Sequence, residues 1–118
     1  MAERHELMDR IGAHWKSVAS APRIIEVPEW ADPETGEPQQ IHIWPASLHE
    51  LELVRKRAGG DENSLTMLVE TLIVRARDGE RKPLFQPGHC ARLMREADTK
   101  VLTRVVREIN ADLEADPS

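Results

Sequence analysis

QIHIWPASLHE, residues 40–50, changes its periodicity halfway along. Gln40 to Trp44 alternates, which puts Ile41 and Ile43 on one face of a strand and His42 and Trp44 on the other. Pro45-Ala46 closes that strand. Ser47-Leu48-His49-Glu50 then has the S-x-x-E spacing of a capping box, in which the serine and glutamate side chains satisfy orphan backbone donors at a helix start. A strand that runs straight into a helix makes the chain a mixed one. Upstream, RIIEVPEW at residues 23–30 is rich in branched side chains, and Pro28 makes it an edge strand or one that stops there. Between the strands, ADPETGEPQQ at residues 31–40 is turn chemistry, with two prolines, one glycine and three acids. The pair reads as a β-hairpin, and a lone hairpin is marginal in water, so one face has to pack on helices or on a partner.

The helices that receive it follow downstream. Leu48, Leu51, Val54 and Ala58 supply the stripe of the helix that opens at Ser47, and Gly59-Gly60 ends it. Asn63 or Ser64 caps the next helix, where Leu65, Leu68, Val69, Leu72, Ile73 and Ala76 fall at helical spacing and make the centre of the core. Asp78-Gly79 turns the chain, and Phe85 plugs the core from the extended Lys82-Pro83-Leu84-Phe85. Pro87 opens a short helix to about Arg95 that buries Ala91, Leu93 or Met94. Asp98 caps a last helix with Leu102, Val105, Val106, Ile109 and Leu113 on its stripe. At the other end, residues 2–19 form an amphipathic helix with Leu7, Ile11, Trp15 and Val18 on one side, Met8 beside them and Pro22 as the stop; it is either a core helix or a docking arm. The expected fold is α+β, mostly α: a small N-terminal β-hairpin packed on a bundle of four to five helices. Residues 1–22 are the helical arm, 23–113 a single domain and 114–118 a frayed tail.

Composition agrees with one small domain. The chain has 118 residues, 40% of them apolar and 31% charged, with three Trp, one Phe and no Tyr, so the core is aliphatic. No stretch approaches the roughly 18 apolar residues of a spanning helix, and MAERHELMDR is charged where a signal peptide has its apolar centre, so a soluble cytoplasmic protein without membrane contact is expected. The single cysteine, Cys90, excludes an internal disulfide framework and a cysteine-rich zinc module. The net charge of −5 is uneven: residues 55–107 carry 12 basic and 7 acidic side chains, residues 1–54 only 4 basic and 10 acidic. Arg55–Arg57 and Arg75–Arg77 fall at predicted helix ends, where cations favour the carbonyl end of the dipole, so nucleic acid is a poor candidate partner.

Catalytic chemistry has little to stand on. Five histidines show no metal-ligand spacing, with His42 and His49 seven apart and His89 next to Cys90. Cys90 reads as a small semi-buried residue, Glu26 and Glu29 flank a proline without a partner acid, and Gly59-Gly60 follows a helix instead of opening one. No catalytic residue, cofactor or metal is expected. Trp30 and Trp44 end the two strands, where the indoles seal the core edge, pair across the hairpin or form an exposed anchor. With Ile41, His42 and Ile43 they make the candidate protein-binding surface, because tryptophan is common at interface hot spots and a free strand edge accepts another strand.

In this order the elements resemble the tail assembly chaperones of long-tailed bacteriophages and prophages. The likeness rests on VPEW at Val27–Trp30, IHIWPAS at Ile41–Ser47 running into LHELELV, the apolar helix LTMLVETLIV, the turn DGERKPLF at Asp78–Phe85 and the terminal helix VLTRVVREIN, and covers roughly residues 23–113. Two features depart from it: the acidic loop Ala31–Gln40, where a tight turn such as a glycine pair is usual, and the helical arm. The resemblance implies a non-catalytic protein of the host bacterial cytoplasm that binds the tape-measure protein, is displaced as the tail tube polymerises, and is absent from the mature virion. It also implies that a frameshift-extended form recruits tail-tube protein, and it is compatible with a homo-oligomer. Two alternatives belong to other classes. A head–tail connector or minor tail protein would be found by mass spectrometry of purified virions, and a small nucleic-acid-binding regulator would bind DNA with a steep salt dependence.

Overall fold

The computed structural model describes residues 2–60 and 65–113, with the side chains of the first helix described from Glu6 onward. The expected caps Asn63 and Ser64 and the tail 114–118 lie outside the described residues. The fold is α+β and mostly helical. Its elements are α1 (Ala2–Val18), β1 (Arg23–Val27), β2 (Gln39–Ile43), α2 (Leu48–Arg57), α3 (Leu65–Arg75), α4 (Cys90–Glu96) and α5 (Thr99–Ile109), with 3-10 turns at Pro28–Trp30, Pro87–His89 and Asn110–Asp112.

β1 and β2 pair antiparallel, Ile25 opposite Ile41 and Arg23 opposite Ile43. Alternation decides the inner face: Ile25, Val27, Ile41 and Ile43 point into the core while Ile24 and His42 point away. That face packs with Val69, Leu72, Ile73 and Ala76 of the α3 segment and with Val101, Leu102, Val105, Val106 and Ile109 of α5. The acidic loop closes on itself, with Asp32 N–H donating to the Glu37 carbonyl at 3.0 Å and Gly36 at a φ of 75°.

The start of α2 is the capping box its sequence announces: Ser47 Oγ accepts from Glu50 N at 3.2 Å, and Ser47 N donates to Glu50 Oε1 at 3.4 Å. Replacing Ser47 with alanine is expected to lower stability by about 1 kcal/mol. A urea denaturation midpoint identical to wild type would refute this. The helix ends on Gly59 and Gly60 at φ of 79° and 84°, the left-handed conformation that glycine adopts without Cβ strain. Asp98 caps α5, its carboxylate accepting from Lys100 N at 2.8 Å and Val101 N at 3.3 Å.

Several expected core positions are outside it. Leu65 is 70% exposed, because it opens α3 one turn ahead of Val69, before the part of the helix that the sheet and α5 cover. Leu48 stands in solvent in the first turn of α2, whose buried member is Val54. The 3-10 turn at Asn110–Asp112 breaks the spacing that would carry Leu113 onto the α5 stripe, and Leu113 is exposed. On α4 Leu93 packs against the core together with Cys90, while Ala91 and Met94 face out. Phe85 is half-buried and packs from the edge of the core.

Arg75 has a role larger than that of a helix-end cation. Its guanidinium is buried and donates to the carbonyls of Ile109 and Trp44, both at 3.2 Å, to Asn110 Oδ1 at 3.3 Å and to Asp112 Oδ2 at 3.4 Å. Arg23 adds bonds to the carbonyls of Glu108 and Ile109 at 3.0 and 2.9 Å. Two arginines from other elements thus satisfy orphan carbonyls at the α5 C-terminus, where positive charge is favoured.

Candidate protein-binding groove

The five residues read from sequence as a binding surface are spread over more than one part of the molecule. Ile41 and Ile43 are fully buried, because they belong to the strand face that meets α3 and α5. Antiparallel pairing sets the ends of β1 and β2 at opposite ends of the hairpin, so Trp30 and Trp44 do not meet across it. Trp44 stacks with His42, ring centroids 6.1 Å apart, and Arg81 lies over its indole at 4.7 Å. The outer edge of β2 is also occupied. His42 N–H donates to the Arg77 carbonyl at 2.8 Å and Arg77 N–H to the His42 carbonyl at 3.3 Å, so the chain itself takes the place of an added strand at the middle of this edge.

Trp30 belongs to a different surface. The 3-10 turn at Pro28–Trp30 carries the indole off the end of β1 and sets it edge-on to Phe85, at 6.5 Å between centroids and 75° between planes. Leu84 and Phe85 arrive from the extended segment after the Asp78–Lys82 turn, which is closed by Asp78 N–H donating to the Lys82 carbonyl at 2.9 Å. His89 also meets Phe85 edge-on, at 6.4 Å between centroids, its ring held by Gln86 N–H donating to Nδ1 at 2.9 Å. Leu93 and Ala97, one turn apart at the end of α4, complete an open, largely apolar groove of about 380 Å³. Arg92 and Glu96 pair at its rim at 3.1 Å. Sequence reasoning found Trp30 but missed His89, Leu93 and Ala97. The i, i+4 spacing of Leu93 and Ala97 was the available signal, and it is too short to stand out alone.

The turn that presents Trp30 is anchored by its neighbour. Glu29 takes both Arg104 nitrogens, each at 2.7 Å, and the Arg104 hydrogen bonds hold the Glu29 carboxyl at about 2, below its ordinary 4.5. A carboxyl lowered in the folded state stabilises in full above its unfolded value, and the contribution fades as pH falls from 4.5 toward 2. The urea-midpoint difference between wild type and Arg104→Gln is therefore expected to be largest near neutrality and to shrink below about pH 4.5. A difference that stays constant from neutral pH down through this window would contradict the assignment.

Other polar groups are engaged within the molecule. Arg57 pairs with Glu70 at 2.6 Å, Arg77 with Glu50 at 3.0 Å and Lys82 with Glu80 at 3.4 Å, so much of the basic middle segment is locally neutralised. Burial and the nearby Glu70 push the Cys90 thiol up, which keeps it protonated at neutral pH, the unreactive form. Among the described residues no group of three His, Cys, Asp or Glu side chains is placed to hold a metal ion, and no helix is long and apolar enough to cross a membrane.

Fold and groove together define a small, mostly helical α+β domain with an aromatic-walled apolar recess at the junction of its hairpin and α4. Comparison with protein-family models, with curated proteins and with solved structures finds no match.

Proposed function

We propose that this protein is a tail assembly chaperone of a long-tailed bacteriophage or prophage, which binds the tape-measure protein in the host cytoplasm and leaves as tail-tube subunits polymerise around it. The observation that carries the reading is the meeting of Trp30, from VPEW, with Leu84 and Phe85, from the PLF turn more than fifty residues later, around one groove. Two of the short motifs on which the family resemblance rests thus share a surface. An apolar recess of this size admits one or two large side chains from the apolar stripe of a client helix, and the Arg92–Glu96 rim offers charge of both signs beside it. Such a contact is non-catalytic.

Co-expression with the tape-measure protein encoded beside it tests the proposal. The client is expected to become soluble and to co-elute with this chain, and Ala97→Glu, which puts a charge into the groove at a residue outside the core cluster, is expected to abolish co-elution while the variant stays folded. Equal client solubility with and without this chain, and no complex, would overturn it.

A further inference from the structure

We infer that α1 is a dimerisation arm whose partner is the α1 of a second copy of this chain, docked antiparallel along the stripe Met8, Ile11, Trp15 and Val18. These side chains are 62%, 51%, 40% and 45% exposed, and Leu7 beside them is half-exposed. They recur at spacings of three, four and three, the a/d pattern of a two-helix seam. The charged side chains of the same stretch, Glu6, Asp9, Arg10 and Lys16, project from the opposite side at 100° per residue, so the seam carries no charge to bury.

The arm stands away from the rest of the protein. The molecule measures 56 by 35 by 33 Å, and the arm is tied at its C-terminal end, where Ala19 is buried and Arg81 Nη2 donates to its carbonyl at 2.9 Å. Trp15, near the body, shares a recess with Trp44, Pro45 and Arg81, while Leu7, Met8 and Ile11 are half or more exposed. A helix with so little tertiary packing is marginal in water, so this exposed stretch points to a partner.

A second copy fits by area, geometry and dipole. The half-exposed side chains present about 500 Å² per copy, so two copies bury at most about 1,000 Å², the lower limit for a specific interface. A two-fold axis near Ala13 places Met8 against Val18 and Ile11 against Trp15, a self-complementary seam. Gly12 lies beside that axis with no atom within 4 Å of where a Cβ would stand, and its missing side chain lets the opposing Trp15 indole approach. Antiparallel docking opposes the helix dipoles favourably and sets the two bodies at opposite ends of the seam. The inference rests on α1 alone and does not depend on what occupies the groove.

Light scattering of the purified full chain tests it. A mass twice the 13.4 kDa of one chain is expected at tens of micromolar, and Ile11→Asp, midway along the arm and away from the body, is expected to halve it while the thermal midpoint of the body is kept. A monomeric wild type, or a dimer that survives Ile11→Asp, overturns the inference. In a Cys90→Ser background, mixing Met8→Cys with Val18→Cys chains is expected to give the mixed disulfide. Self-linked Met8→Cys chains with no mixed product would overturn the antiparallel arrangement. Client co-elution is read separately on the same Ile11→Asp variant, so loss of the dimer and loss of client binding are distinguishable.

Discussion

Replacing Arg75 with alanine is expected to cost about 3–5 kcal/mol of unfolding free energy, read from urea denaturation followed by circular dichroism. The side chain is buried, and its guanidinium holds two carbonyls, one amide and one carboxylate drawn from the end of β2, the α5 C-terminus and the 3-10 turn beyond it. Truncation leaves several of these acceptors without a donor, and each buried polar group left unpaired costs about 1–3 kcal/mol. Arg23 still reaches the Ile109 carbonyl, so the total falls short of a simple sum. Burial lowers the guanidinium pKa and Asp112 raises it, but an arginine stays charged across the usable pH range, so the loss should be independent of pH near neutrality. Arg75→Lys should recover little, because one ammonium cannot span acceptors that a planar fork reaches from both nitrogens. A loss under about 1 kcal/mol for Arg75→Ala would show that water replaces the guanidinium at little cost.

Arg75 also shows where sequence reading reaches its limit. As the last residue of α3 it carries the mark of a cation at its own helix end, and nothing within a few residues of it says that its partners are Trp44, Ile109, Asn110 and Asp112. Features whose cause is local were legible: the Ser47–Glu50 capping box, the left-handed Gly59-Gly60 pair, the Asp98 cap and the alternation that buries Ile41 and Ile43. The same alternation argued against Ile41 and Ile43 as contact residues, since the face of a hairpin that packs on helices is not free to meet a partner. The closure of the β2 edge by Arg77 and the meeting of Trp30 with Phe85 depend on segments far apart in the chain, and spacing along one element does not encode them.

Apolar periodicity marks which face of a helix is greasy, not whether anything covers it. α1 and α5 both carry clear stripes; the α5 stripe from Val101 to Ile109 is buried under the sheet and α3, whereas the α1 stripe stands half in solvent. The difference lies in what the neighbouring elements reach. β1 is strapped to α5 at both ends, Arg23 to the Glu108 and Ile109 carbonyls and Glu29 to Arg104, and this holds the sheet down over the α5 stripe. Among the described residues no comparable strap runs along α1, whose tie to the body is at its C-terminal end. The half-exposed stripe of the arm includes none of the residues that line the Trp30–Phe85 groove.

Leu72→Ala gives the second large effect and tests the same distinction within one helix. Leu72 is fully buried among Ile41 and Ile43 of the sheet, Val69, Ile73 and Ala76 of its own segment, and Val105 and Val106 of α5. Removing its isobutyl group forfeits the transfer free energy and leaves a cavity between layers that are pinned by the Arg23, Arg75 and Glu29 contacts, so relaxation is limited. The expected cost is about 2–5 kcal/mol. Leu65, of the same residue type and seven positions earlier on the same predicted stripe, is 70% exposed, and Leu65→Ala is expected to change stability by under about 0.5 kcal/mol. Denaturation of the two variants under one set of conditions compares like with like, since helix propensity and residue volume cancel between them. Equal losses at both positions would mean that α3 is covered along its whole length, and that the sheet and α5 close over a different part of it than residues 69–76.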